Sequence, residues 1–371
     1  MTAITDNQRA ALAALRDKQA IADNLANHAR GIDRADAGLL ASVYHPDARV
    51  DYGFFNGPAA ELVALLVPMQ RRSPVTLHRP ANVWIKVRGD LAISESYVIA
   101  YAESHTDQGP VQSLVGGRYL DRHAWRDGAW RISHRSYVLD WNINRPSAAS
   151  YAEATLASGH FVPLGGHGAR DPGNLFLAIQ SADFRAATSE GNTMTERPIT
   201  DADIDALLSR ETLKELLLAY CRGVDRGDEA LLASPFHDDA TVITGAFNGP
   251  ARDFAPQILR TVAETSRRVF HSVNNCWFDI DGDRAVGESY VIAVQTVPGP
   301  EGDLDILVGG RYLDRFERRA GVWKIAQHTF VMDWNMTQPC TAVMDEGMFG
   351  EMVQGRRDGS DPVHGFWNSL P

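Results

Sequence analysis

From Leu12 to Ile32 apolar residues return every three or four positions, the spacing of one helix face, and LKELLLAYCRGVD (Leu213 to Asp225) repeats it. Thr200 with Asp203 three residues on predicts a capping box ahead of that second helix. FNGPA, present twice, reads as a turn into a further helix, because proline suits a first helical turn. ANVWIKV, AISESYVIAYAE, VQSLVGGRYLDRHAW and AWRISHRSYVLDW follow, rich in Val, Ile, Tyr and Trp, with RDG (RAG in the later copy) at the last hairpin turn. Helices first and hairpin-linked strands afterwards predict an α+β fold: a curved antiparallel sheet packed on N-terminal helices.

The pattern occurs twice. GIDRADAGLLASVYHPDARVDYGFFNGPA from Gly31 overlays GVDRGDEALLASPFHDDATVITGAFNGPA from Gly223, and GGRYLDRHAWRDGAWRISHRSYVLDWN from Gly116 overlays GGRYLDRFERRAGVWKIAQHTFVMDWN from Gly309. More than half of each window is identical without gaps. A period of about 190 residues is that of a tandem domain pair, not of a solenoid. The expected division is a first domain over 1–148, an arm and linker over 149–198, a second domain over 199–340 and a C-terminal arm over 341–371. RDPGNLF at Asp171 and SDPVHGF at Asp361 make the arms a repeat too, expected to wrap a neighbour or close a pocket mouth.

Composition narrows the class. The 371 residues are 44% hydrophobic and 22% charged, enough to bury a core in each half. A net charge of -11 lacks the basic face that a nucleic-acid partner requires. No apolar run approaches the length of a membrane span, and the first residues lack the basic start and apolar core of a signal peptide, so a cytoplasmic protein without membrane association is expected. Cys221, Cys276 and Cys340 form neither a disulfide framework nor a zinc pattern, and the histidines make no metal-like cluster. With no phosphate loop or nucleophile elbow either, cofactor-free and metal-free acid–base chemistry is the expectation.

GIDRAD/GVDRGD, HPDA/HDDA, FNGPA, and GGRYLDR followed by DGAWRI or AGVWKI together resemble the SnoaL-like branch of the NTF2-like superfamily, over nearly all of both units but not the arms. The resemblance implies two cone-shaped domains with polar residues inside each mouth. It leaves function open, since the family holds isomerases, dehydratases, cyclases, dehydrochlorinases and binders. In its dehydrochlorinases and dehydratases an Asp ending the first helix orients a His that removes a proton from carbon. Here these map to Asp33 with His78 and Asp225 with His271. The chemistry is sound on its own terms: imidazole titrates near neutrality, and a carboxylate on one ring nitrogen fixes the tautomer and steadies the imidazolium.

Around these pairs the units differ. His28 stands where the second unit has Tyr220, a position at which a Lys or Tyr in the family's elimination enzymes assists the leaving group. Arg135 stands where the second unit has His328, and by resemblance an Arg there contacts the departing group; either can stabilise a developing anion. Tyr137 and Phe330 share a strand face with them, and Tyr97, Tyr290, Trp141 and Trp334 complete the candidate aromatic lining. Glu95 and Glu288 line the cone or brace an interface; Asp140-Trp141-Asn142 and Asp333-Trp334-Asn335 read as architecture. Arg30 and Arg222 are expected to ion-pair with Asp33 and Asp225 on their own helices.

The leading expectation is a cofactor-independent lyase of the dehydratase or deformylating type, acting on a small aromatic or apolar substrate. The family's lignin-dimer γ-formaldehyde lyases extend this to lignin-derived compounds and formaldehyde release. An isomerase or polyketide-type cyclase, and a non-catalytic binding or scaffold protein, remain open. The expected assembly is a homo-oligomer, with the second cone favoured as the main catalytic site because of Tyr220.

Overall fold

The computed structural model describes residues 5–73, 76–107, 109–147, 166–168, 171 and 200–370. The first unit opens with α1 (Asp6–Asp33), capped by a box between Thr5 and Gln8, then α2 (Ala37–Ser42), with Asp36 as its cap. Next come β1 (Tyr44–Asp51), β2 (Asn56–Pro58) and α3 (Ala59–Arg72), followed by the long hairpins β3 (Thr76–Arg88), β4 (Leu91–Thr106), β5 (Gly109–Arg126) and β6 (Ala129–Pro146). The second unit repeats the order: α4 (Asp201–Arg226), α5 (Glu229–Ala233), β7 (Phe236–Ile243), β8 (Asn248–Pro250), α6 (Ala251–Thr265), β9 (Arg268–Asp281), β10 (Arg284–Val297), β11 (Leu304–Arg319) and β12 (Val322–Pro339). Thr200 and Asp203 form the expected capping box.

The FNGPA segments form the short strands β2 and β8, and each proline caps its helix from outside instead of occupying the first turn. The last hairpins turn through two residues of positive φ, Asp127-Gly128 and Ala320-Gly321, the geometry that suits the right-handed twist of the flanking strands. α4 meets α5 so closely at Gly223 that a Cβ would stand 2.7 Å from the backbone of Leu232.

The strand orders are β2-β1-β6-β5-β4-β3 and β8-β7-β12-β11-β10-β9. The hairpins are antiparallel, but β1 joins β6 and β7 joins β12 in parallel, so each sheet is mixed and not purely antiparallel as expected. Periodicity identifies a strand without identifying its neighbour, and no tight turn connects these partners. Each sheet packs one face on its helices, and no described helix is long and apolar enough to cross a membrane.

The units are tied together. Lys18 of α1 bonds Glu211 and Glu215 of α4 at 3.3 and 2.6 Å. Tyr97, Trp141 and Ile143 of the first sheet pack on Phe270, Val294 and Leu307 of the second. Beyond Pro339 the chain turns back onto the first unit through α7 (Gly347–Gly350), β13 (Val353–Gln354), which pairs with Val138 and Leu139 of β6, and α8 (Pro362–Trp367). Val363 and Trp367 cover Ile93, Leu120 and Val138. At the junction buried Arg118 holds Asp140, Glu95 and Asp361, and Arg226 of α4 reaches Asp140 and Asp361 at 2.9 and 3.3 Å. Arg222 does not take the expected partner on its own helix: it lies 3.5 Å from Glu95, because this end of α4 faces the first sheet. Of the expected first arm, Asp171 accepts from Arg34 at 3.1 Å; residues 149–165, 169–170 and 172–198 lie outside the described residues.

Candidate active site

Between the helices and inner sheet face of each unit lies a cavity, of about 340 Å³ in the first and about 300 Å³ in the second. Ile32, Leu66, Val98 and Val115 wall the first; their counterparts Val224, Ile258, Val291 and Val308 wall the second. These are predominantly apolar hollows of small-molecule size. One histidine lines each: His78 and His271.

Their geometry follows from the first helix and the third strand. Asp33 closes α1 and Asp225 lies one residue from the end of α4, facing the strand that carries the histidine. Asp33 accepts from the backbone N–H of His78 at 2.9 Å and meets its Nδ1 at 2.7 Å. Asp225 does the same for His271, at 2.9 and 2.6 Å. The carboxylate thereby assigns the ring proton to Nδ1 and leaves Nε2 as the lone-pair nitrogen, the arrangement of a general base. Nε2 has no hydrogen-bond partner among the described residues. Both carboxylates are buried, with the imidazoles partly open to their cavities.

Beneath the dyads the units diverge. In the first, Arg135 makes a bidentate pair with Asp121, 2.7 Å at both contacts, and its guanidinium lies 3.9 Å from the Tyr119 ring centre. Burial opposes that charge, but Asp121 with Tyr44 and Tyr52 holds the Arg135 pKa well above the guanidinium range, so it is a fixed cation. Burial, then the charge of Arg135, pushes His28 well below the ordinary imidazole range and keeps it neutral. In the second unit His328 Nδ1 meets Asp314 at 2.7 Å, and its ring lies 4.6 Å from Tyr220 and 4.7 Å from Tyr312. Tyr220 lines the cavity, and burial pushes its phenol upward, so it carries its proton at neutral pH.

His28, Arg135 and His328 are buried below the floors, behind Tyr119 and Tyr312, outside the residues lining either cavity. Tyr137 and Phe330 line them. Tyr97, Trp141, Tyr290 and Trp334 do not, which corrects four of the six expected aromatic contacts. Tyr97 and Trp141 are buried between the units, whereas Tyr290 and Trp334 are exposed on the outer face of the second sheet. For Trp141 and Trp334 the cause is a bulge in β6 and β12. Gly116 pairs with Trp141 and Gly117 with Leu139, so Asp140 is extra and reverses the alternation between Tyr137 and Trp141. β12 repeats the slip between Gly309 and Gly310. Tyr97 and Tyr290 sit on β4 and β10, where the next residue, Val98 or Val291, is the one that faces the cavity.

Several residues in and around the two cavities carried no clear signal in the sequence. Asp121 and Asp314, the partners of Arg135 and His328, sit inside the invariant GGRYLDR motif, where repeat identity does not separate chemistry from packing. Met348, Phe349 and Met352 of the C-terminal arm wall the first cavity, and nothing local marks them.

Residues 13–136 and 205–329 each match the family model described as a SnoaL-like domain. Hexachlorocyclohexane dehydrochlorinase 1 of Sphingobium indicum is 29% identical over 138 residues, 36% of this chain and 87% of the relative. The gamma-hexachlorocyclohexane dehydrochlorinase of the same species is 29% identical over 131 residues, 34% of this chain and 81% of its own. A solved hexachlorocyclohexane dehydrochlorinase from Novosphingobium barchaimii superposes with a TM-score of 0.34 at 26% identity, covering 37% of this chain and 94% of that one.

Proposed function

The chain belongs to the SnoaL-like family, and on that premise we propose that it is a cofactor-independent lyase whose main site is the second cavity. One observation supports this above the others: His271, tied through Nδ1 to Asp225 at 2.6 Å, presents Nε2 to an apolar cavity that Tyr220 also lines. Relatives named as dehydrochlorinases place elimination among the reactions of similar proteins.

In the proposed reaction His271 Nε2 takes a proton from a substrate carbon. The C–H electrons become the new double bond while the bond from the neighbouring carbon to its leaving group breaks. Tyr220 gives the departing atom a hydrogen bond, or a proton that it regains from solvent, and Asp225 steadies the imidazolium until solvent removes the proton. The apolar walls exclude water and strengthen these polar contacts. The first cavity has the same base without a counterpart to Tyr220 and serves, in this reading, a secondary role. A flat aromatic substrate suits Tyr312 and Phe330 on the walls; formaldehyde loss from lignin-type dimers is a narrower form of the same reading.

The test is a panel of small halogenated, hydroxylated and lignin-type aromatic compounds, followed for halide, formaldehyde and new conjugated absorbance. His271→Ala is expected to lower turnover by about 10²–10⁴-fold, and Tyr220→Phe to lower it less. Isomerised product without a released group would establish the isomerase reading. Binding that survives the joint replacement of His78 and His271 by Ala, with no turnover by the wild type, would establish a binding protein.

A further inference from the structure

His271 lies on β9, the edge strand of the second sheet, so beyond β10 its main chain has no strand neighbour. An edge strand leaves peptide groups to be satisfied by something else. The first unit supplies that partner. Between Ala81 and Trp84 the pairing of β3 with β4 slips, and Asn82 at the slip has φ of +45°. That left-handed backbone is costly for most residues and best tolerated by Gly, Asn and Asp. It sends the buried Asn82 side chain across the boundary between the units. Its Nδ2 donates to the His271 carbonyl oxygen at 2.7 Å, and its Oδ1 accepts from the N–H of Val273 at 2.6 Å.

A carboxamide presents one donor and one acceptor side by side, so Asn82 does the work of one residue of a neighbouring strand. The His271 main chain is then fixed from two directions: its N–H by Asp225 of its own unit, its C=O by Asn82 of the other. The Tyr97 ring, 4.9 Å from that of Phe270, holds the preceding residue. The first cavity lacks this brace. The counterpart of Asn82 is Asn275, which keeps a positive φ of 49° but is exposed, and the counterpart of Val273 is Pro80, which has no N–H to donate.

We infer that Asn82 is a positioning residue for His271, so that the second site is complete only against the first unit. This rests on the reading of His271 as the base. A misplacement of a base by a fraction of an ångström is felt directly in the rate of proton transfer.

The experiment uses the full-length chain with Asn82→Gly, which keeps the positive φ accessible while removing the carboxamide, and Asn82→Asp, which keeps only the acceptor. Asn275→Gly is the control. Amide exchange at Val273 and the imidazole titration of His271 are followed by NMR, the latter assigned by its loss in His271→Ala; turnover is measured beside them. Asn82→Gly is expected to speed Val273 exchange at least about tenfold, to move the His271 titration and to lower kcat about tenfold with KM little changed. Asn82→Asp is expected to fall between it and the wild type, and Asn275→Gly to match the wild type. A folded Asn82→Gly protein with wild-type exchange at Val273 and a wild-type His271 titration overturns the inference. Those two measurements require no substrate, so they decide the role of Asn82 even where the lyase reading fails for want of turnover.

Discussion

At the scale of single residues, the Asp–His pairs were legible because each member falls in a segment that the chain writes twice. Asp33 with His78 and Asp225 with His271 are 45 and 46 residues apart, and resemblance joined them before geometry did. Trp141 faces away from the cavity because facing is a property of pairing, and one extra residue in β6 reverses it. Buried histidine also sets a pH dependence. Burial pushes His123 down to about 4 from the ordinary 6.5, and its Nε2 meets Ser94 at 2.8 Å. The unfolded chain binds this proton below about pH 6.5, the folded chain only near 4, so stability is complete above 6.5 and declines as pH falls between the two. The decline attributable to His123 is about 3 kcal/mol, and His28 acts in the same direction. Urea midpoints across that window should fall less steeply for His123→Gln; parallel slopes would remove His123 as the cause.

At the scale of elements, helices and hairpins were legible from period and turn chemistry, whereas the parallel seams β1–β6 and β7–β12 were not. The C-terminal arm shows the same limit. Its SDPVHGF motif announced a repeated feature, but its destination depends on Arg118 and Arg226, far away in sequence. Asp361 is held well below the usual carboxylate range by these two guanidiniums, against the cost of its own burial. Removing one member of such a cluster leaves buried charge uncompensated, at a cost of about 3–5 kcal/mol. Asp361→Ala should lower the unfolding midpoint accordingly and loosen α8 and β13, seen as faster amide exchange at Val363 and Gln354. An effect within about 0.5 kcal/mol, the range of an ordinary surface change, would show that the arm is held by its apolar contacts alone.

At the scale of the whole molecule, the two sheets wear opposite outer faces. Tyr97 and Trp141 are 2% and 3% exposed beneath the second unit, while their counterparts Tyr290 and Trp334 are 48% and 47% exposed, with Trp277 at 59%. An apolar face of this kind on a folded chain marks an interaction surface, and in the first unit the same face is covered by a unit of this fold. The chain is therefore expected to self-associate through the second sheet, as a concentration-dependent increase in mass by sedimentation that Trp334→Glu abolishes. A strictly monomeric wild type would contradict this. The returning arm bears on how the molecule is made as well as on how it stands. The Asp361 carboxylate that completes the buried cluster around Arg118 leaves the ribosome more than 200 residues after Arg118 itself, an interval of roughly 10–50 s at ordinary elongation rates. Through that interval the first half must wait with an unfinished seam, so the order of synthesis delays the completion of the N-terminal unit until the returning arm has been made.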